Sequence, residues 1–213
     1  MKNRRFALLA AVAIAALIAP VRTVAAGSES ELYARMQRVN AGLTSYQADV
    51  TAAVVSHGFP YLNPTLQGHA YFKRPDKNAV IFDTLPIIAQ QVKHVVATIE
   101  PPSEWPSVYD VTPTGDDGTA GTFKLVRKKN GRIDHIDVKV DDKTATVIGM
   151  TYYYKEGGGT IAVTQTYDQI NGNYVVKTQT GKVDIPHYNA DVTSTFGNYK
   201  LNVPVDDKVF ENS

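Results

Sequence analysis

From residue 122 to 203, apolar and polar positions alternate with the two-residue period of half-buried strands, broken by short polar turns. Phe123 to Lys129 runs to Asn130-Gly131, a two-residue hairpin signal. Arg132 to Val140 runs to Asp141-Asp142, and Thr144 to Lys155 runs to Gly157-Gly158-Gly159. Thr160 to Ile170 then turns at Asn171-Gly172-Asn173 into Tyr174 to Val183. This predicts an antiparallel meander. Upstream, Tyr46 to Val54 and Leu66 to Lys73 alternate in the same way. Asn78 to Asp83 reads as a short third strand, and Ser107 to Thr112 as another before a loop through Gly115 to Gly118.

Two stretches change period. Ser28 with Glu31 fits a capping box, and Leu32, Met36, Val39 and Leu43 recur at helical spacing, predicting a helix over 29–43 stopped by Thr44-Ser45. After Leu85-Pro86, the residues Ile88, Val92, Val95, Val96 and Ile99 fall three or four apart until Pro101-Pro102. Proline at the start and beyond the end delimits a helix over 86–99, about 21 Å long. An antiparallel sheet of this width must curl, split or close, and its apolar face needs cover. The two apolar stripes supply that cover. The predicted fold is mainly β with helices: a curved, antiparallel, unclosed β-barrel whose concave face the helices cover.

The ends and the composition narrow the setting. Lys2, Arg4 and Arg5 precede the apolar run Phe6 to Ala19, and Val24-Ala25-Ala26 presents small residues, the pattern of an export signal over 1–26 cleaved near Ala26. Residues 27–213 are then read as one domain of an exported protein. Without the signal, 18 basic residues stand against 21 acidic, a balance of −3 that argues against nucleic acid as a partner. Zero cysteine excludes disulfides, thiol nucleophiles and thiolate metal sites.

Candidate chemistry is sparse. His135 and Asp137 share a strand face and form a candidate acid–base or metal pair, set against plain solvent exposure. His57 and His69 can approach across the first hairpin, His94 falls in the second helical stretch, and His187 follows Pro186. The acidic pairs at 116–117, 141–142 and 206–207 lack the spaced oxygen donors of a calcium loop and suit turns. Gly157 to Gly159 precedes no helix, so it is not a phosphate cradle. No catalytic set, metal site or cofactor is assigned, and an enzyme is not expected.

The remaining material is apolar and aromatic. Phe123, Leu125, Tyr154 and Tyr167 face inward in the meander, and Tyr188, Ala190, Val192 and Phe196 continue that face. One reading is a filled core; the other is a gap between helix and sheet wide enough for a lipid chain, and both use the same residues. For the gap, the first hairpin offers Val50, Ala52, Val54, Ala70 and Phe72. The second helical stretch offers Ile88, Val92, Val95, Val96 and Ile99, followed by Trp105. The meander offers Leu125, Ile148, Met150, Tyr152, Ile161 and Val163.

Three stretches carry a resemblance. They are the helix followed by Leu43-Thr-Ser-Tyr-Gln-Ala-Asp-Val50, the strand Leu66-Gln-Gly-His-Ala-Tyr-Phe-Lys-Arg-Pro75, and the close from Phe196 to Phe210 with its Asn202-Val-Pro204. With the strand-rich middle, they make residues 28–211 resemble the LolA-like family of outer-membrane lipoprotein carriers. The resemblance implies an unclosed barrel enclosing a cavity for the acyl chains of lipoproteins or another lipid. It implies a monomeric chaperone in protein transport, loaded by an inner-membrane exporter and unloaded by an outer-membrane acceptor. The need is physical, because each exposed methylene costs about 0.8 kcal/mol in water. Arg74, at the matched strand end, is implied to tie the barrel to its helical cover. Segment 85–106, with its single Pro-bounded helix, departs from the family's pattern. An envelope sensor binding a lipid or protein partner through the same barrel is the alternative, and an exported enzyme using His135 and Asp137 a third class.

Overall fold

The computed structural model describes residues 26–58, 61, 63–83 and 100–211, with side chains from residue 31 onward. Its frame is one ten-stranded antiparallel sheet. The strands are β1 (Ser45–Ser56), β2 (Thr65–Lys73), β3 (Lys77–Phe82), β4 (Tyr109–Asp116), β5 (Ala120–Arg127), β6 (Ile133–Asp141), β7 (Val147–Tyr154), β8 (Thr160–Ile170), β9 (Asn173–Ile185) and β10 (Tyr188–Leu201). Their order is β3-β2-β1-β10-β9-β8-β7-β6-β5-β4. Two meanders are thus joined by one long-range pairing, β1 with β10, in which Val50 opposes Phe196 and Val54 opposes Val192. The outer strands β3 and β4 do not bond to each other, so the sheet curls without closing. No described helix is long and apolar enough to cross a membrane.

The hairpins show which turn signals mattered. Ile170 opposes Asn173, with Asn171 at φ 49° and Gly172 at φ 79°, the doubly positive backbone of a two-residue turn matched to strand twist. The expected turn at Asn130-Gly131 is different. Pairing of β5 with β6 stops at Leu125–Ile136, and neither Asn130 nor Gly131 takes a positive φ. Beyond that point β5 stays with β4, through Tyr109–Arg127 and the bond from Lys128 N to Val108 O, while Arg132 O accepts from Lys155 N. The two strands splay apart, and an open loop replaces the tight turn. The strand expected from Ser107 also begins later, because Trp105–Val108 forms one helical turn with Pro106 at its start.

Helix α1 (Ala26–Met36) is shorter than the predicted 29–43. Asn40 takes φ 57°, which ends helical continuation, and its amide bonds the Tyr174 backbone in both directions: Nδ2 donates to Tyr174 O at 2.7 Å, and Tyr174 N donates to Oδ1 at 2.8 Å. A tertiary latch thus outcompetes the helical spacing of Val39 and Leu43. What remains of α1 buries Leu32 and Met36, one turn apart. Gly121 on β5 makes this approach close: a Cβ there would collide with the Leu32 side chain. The other predicted helix, 86–99, lies outside the described residues.

These contacts fill only part of the concave face. Leu32, Met36 and Trp105 pack with Tyr109, Phe123, Leu125, Ile136, Val138, Val140, Met150 and Tyr152 into a continuous core over β4 to β8. Across β1, β2 and β10 most buried inner positions are smaller, Ala48, Val50, Ala52, Val54, Ala70, Ala190 and Ser194, with Leu66 and Phe72 on β2 the larger exceptions. No bulky helical side chain among the described residues is seated there.

The C-terminal segment braces that thinner side. Ser45 Oγ donates to Val203 O, and Asp207, in a 3₁₀ turn over Asp207–Phe210, accepts from Lys77 at 2.8 Å and Lys73 at 2.9 Å. The Lys77 bond, then that of Lys73, holds the Asp207 carboxyl at about 2, below its usual 3.8. A depressed folded pKa gives a contribution that is present above the unfolded value and lost as pH falls through the folded one. The 3₁₀ turn is therefore expected to detach between pH about 4 and about 2. Amide exchange of Val209 and Glu211 should rise in that window, and Asp207→Asn should be loose already at pH 7. Unchanged exchange in the variant would show that the turn is held by other contacts.

Candidate functional site

On the thin side of the concave face lie two neighbouring cavities. The larger, of about 230 Å³, is walled by Tyr46 on β1, Ala70 and Phe72 on β2, Asn78, Ala79 and Val80 on β3, and Val175, Val176 and Gln179 on β9. Leu43 and Val39, released from the expected helix, close it on one side, and Val147, Met150, Gln165 and Tyr167 on another. The smaller, of about 60 Å³, is walled by Val50, Ala52, Val54, Leu66, Phe82, Ile161, Val163, Gly181, Val183 and Val192. Its few polar groups belong to Gln179 and Ser194. The smaller interior is apolar, and the larger combines apolar walls with polar groups such as Asn78, Gln165 and Gln179, a mixture small-molecule sites commonly show.

Two charged residues, Arg74 and Glu100, line the larger cavity. Arg74, at the end of β2, spans two pieces of chain: Nε donates to Leu43 O at 2.6 Å and an Nη to Asn40 O at 2.8 Å. A longer contact of 3.5 Å reaches Ser103 Oγ. The same residue's backbone N donates to Thr44 O. Arg74 thereby clamps the strand to the turn after α1 and touches the segment that follows residue 100. Glu100 anchors that segment on the opposite edge of the sheet. It accepts from Tyr109 Oη at 2.6 Å and Arg127 at 3.0 Å, and its carbonyl accepts from Trp105 Nε1 at 2.7 Å. Burial first, then this bond to the Glu100 carboxylate, pushes the Tyr109 hydroxyl well above the usual tyrosine value.

The cavity floor carries a small polar strip. Gln165 Nε2 and Tyr167 Oη both donate to Val147 O, Gln165 also donates to Tyr167 Oη, and Gln179 donates to Gln165 Oε1. These side chains spend most of their polar capacity on one another. The Tyr46 ring stacks on Phe72 at 5.4 Å and meets Tyr199 edge-on at the same distance. Its hydroxyl is pushed up to about 12 by burial alone. An apolar wall explains that direction, since it disfavours the phenolate.

No family model matches the chain, and no curated protein matches it in sequence. Solved structures do match in shape. A DUF1329 family protein from Desulfovibrio piger superposes with a TM-score of 0.63 at 14% identity, covering 87% of this chain and 96% of that one. A LolA superfamily protein from Nitrosomonas europaea gives 0.60 at 10% identity, covering 85% and 96%. A domain described as an outer-membrane lipoprotein-sorting protein, from Vibrio parahaemolyticus, gives 0.63 at 10% identity, covering 87% and 95%. The protein has the LolA-like fold. At these identities the likeness is one of fold, and the unclosed ten-stranded sheet is its substance.

Within this LolA-like fold the expected cavity residues separate into groups. Ala70, Phe72, Met150 and Arg74 line the larger cavity, and Val50, Ala52, Val54, Ile161 and Val163 line the smaller, with Met150, Ile161 and Val163 also packed into the core. Trp105, Leu125 and Tyr152 lie instead in the filled core. Ile148 lines neither cavity, because pairing with β6 slips at this point: Lys139 opposes Gly149 but Val140 opposes Val147, leaving Ile148 as the extra residue of a bulge. Val147 takes the inner wall. Ile88, Val92, Val95, Val96 and Ile99 lie outside the described residues.

Sequence reasoning passed over Val80, Val147, Gln165, Gln179 and Val175. Gln165 and Gln179 had a signal: each continues in phase an inward series, Ile161-Val163-Gln165 and Val183-Gly181-Gln179, as a polar residue where an apolar one is due. The histidines are dispersed. His57 meets Asp191 at 2.7 Å, His69 meets Asp49 at 3.0 Å, and the two rings do not meet each other. His135 binds Asp134 at 2.7 Å, stacks on Tyr153 at 4.3 Å and stands 3.8 Å from Asp137. Among the described residues no three potential ligands gather for a metal. Asp117 and Asp141 each accept from backbone and hydroxyl donors two and three residues ahead, which is turn chemistry.

Proposed function

We propose that this LolA-like protein is a periplasmic carrier that shields the acyl chains of lipoproteins, or of another lipid, on their way toward the outer membrane. The observation that carries the reading is the apolar pair of cavities in the half of the concave face that α1 and Trp105 leave unfilled. A protein built only for stability gains by packing such a face, because each void forfeits contacts. A carrier needs the space, and it needs a wall that yields at modest cost. The open edge strand β3 lines both cavities through Val80. The export signal read at 1–26, the balance of −3 and the resemblance at Arg74-Pro75 fit the same role.

Native mass spectrometry of the protein purified from a periplasm is the test. Co-purified lipid or lipoprotein is the expected result. A stoichiometric protein partner with no lipid would favour an envelope sensor. An empty monomer that takes up no fatty acid or lysophospholipid in solution would overturn the carrier.

A further inference from the structure

The two cavities share Val80, Gln179 and Phe196. They therefore meet at a waist. Their order along the bordering strands is constant: on β2 the larger cavity takes Phe72 and the smaller Leu66, and β1 and β9 are divided in the same sense. Phe72 and Leu66 stand six residues apart, about 20 Å of strand. The pair thus lies end to end along the strands, and a chain threading both would run in that direction. Arg74 marks one end of the pair, and the smaller cavity, which among the described residues no charged side chain lines, is its far end.

Resting on the lipid-carrier reading, we infer that the smaller cavity is a tail compartment and that the Val80–Gln179–Phe196 waist and Gly181 behind it set the longest acyl chain accepted. An amphiphile threading both cavities has one favourable direction. Its polar end lies toward Arg74, because burying that end among Leu66, Phe82 and Val183 would strip its hydrogen bonds. The larger cavity, at about 230 Å³, exceeds the ~150 Å³ at which an apolar cavity takes up benzene. It holds the first stretch of chain by itself. The smaller, at about 60 Å³, is too small for a separate ligand and serves only to extend the first.

Among the described residues, Gly181 is the wall position of this compartment that carries no side chain. It opposes the inward-facing Val163 on one side and Val192 on the other, so a side chain here would enter the compartment. The backbone permits one: a Cβ would meet Val192 Cβ at 3.8 Å and Ala162 O at 4.0 Å, ordinary contact distances, with no positive φ required. Glycine here is not demanded by the fold. It keeps space open.

The test is a displacement titration with saturated fatty acids of 8 to 18 carbons against a bound naphthalene dye. For the wild type, affinity should rise about fourfold per methylene up to a limiting length. Gly181→Leu should bind the 8-carbon acid as the wild type does and stop gaining several carbons earlier. Val192→Phe, filling the same space from β10, should shorten the limit in the same way and stands in if the leucine variant fails to fold. Unchanged length dependence in a folded variant, or equal loss at every length, would overturn the compartment while leaving the carrier intact. Failure of the wild type to bind any of the acids would remove both.

Discussion

Trp105→Ala should lower the unfolding free energy by about 3–5 kcal/mol, the cost of deleting a large buried aromatic. Trp105 is fully buried, and it is the chain's single tryptophan. Its indole works twice. The ring fills the core between α1 and β4 to β7, and its N–H holds the carbonyl of Glu100, whose carboxylate in turn holds Tyr109 and Arg127. Trp105→Phe keeps most of the volume and loses the bond, so it should cost less, about 1–2 kcal/mol. Urea unfolding followed by circular dichroism measures both, since the substitutions remove the fluorophore. A cost below about 1 kcal/mol for alanine would contradict the burial and its place in the core.

Arg74→Ala should cost about 1–3 kcal/mol, because it strands the carbonyl of Leu43 and takes from that of Asn40 one of its two donors. The guanidinium reaches Leu43 O and Asn40 O through different nitrogens of one planar fork. Lysine carries a point charge without that geometry, so Arg74→Lys should recover less than half of the loss. The local signature is sharper than the global one. Amide exchange at Leu43, whose N–H donates to Asn40 O, should accelerate in both variants before the sheet opens. If that amide stays protected, Arg74 is a strand end and not a clamp.

Much of the sheet was legible because alternation is a local property. Val50, Ala52, Val54, Ile161 and Val163 face inward as their neighbours' polarity demands. What escaped was set by distant partners. The end of α1 depends on Asn40 meeting Tyr174, 134 residues away, so helical spacing alone carried the helix to residue 43. The bulge at Ile148 depends on how β6 and β7 align, and one extra residue exchanged its place with that of Val147. Asn130-Gly131 is a hairpin signal that two diverging neighbours overrode. Whether an inward residue is core or cavity wall is least local of all. Leu125 and Val50 have the same pattern, and only the position of α1 and Trp105 separates them.

The missing bond between β3 and β4 has a mechanical consequence. A closed barrel can change its girth only by shearing a ladder, breaking backbone hydrogen bonds along a whole strand. Here the girth is free: the sheet can uncurl at its seam with each ladder from β3 through β4 intact. The resistance comes from side-chain clamps such as Arg74 and Asp207, and these fasten the thin-walled β2–β3 flank while the β4–β8 flank is set solid around Trp105. One wall therefore behaves as a fixed jaw and the other as a spring leaf, and the stiffness of the leaf is a matter of a few replaceable contacts.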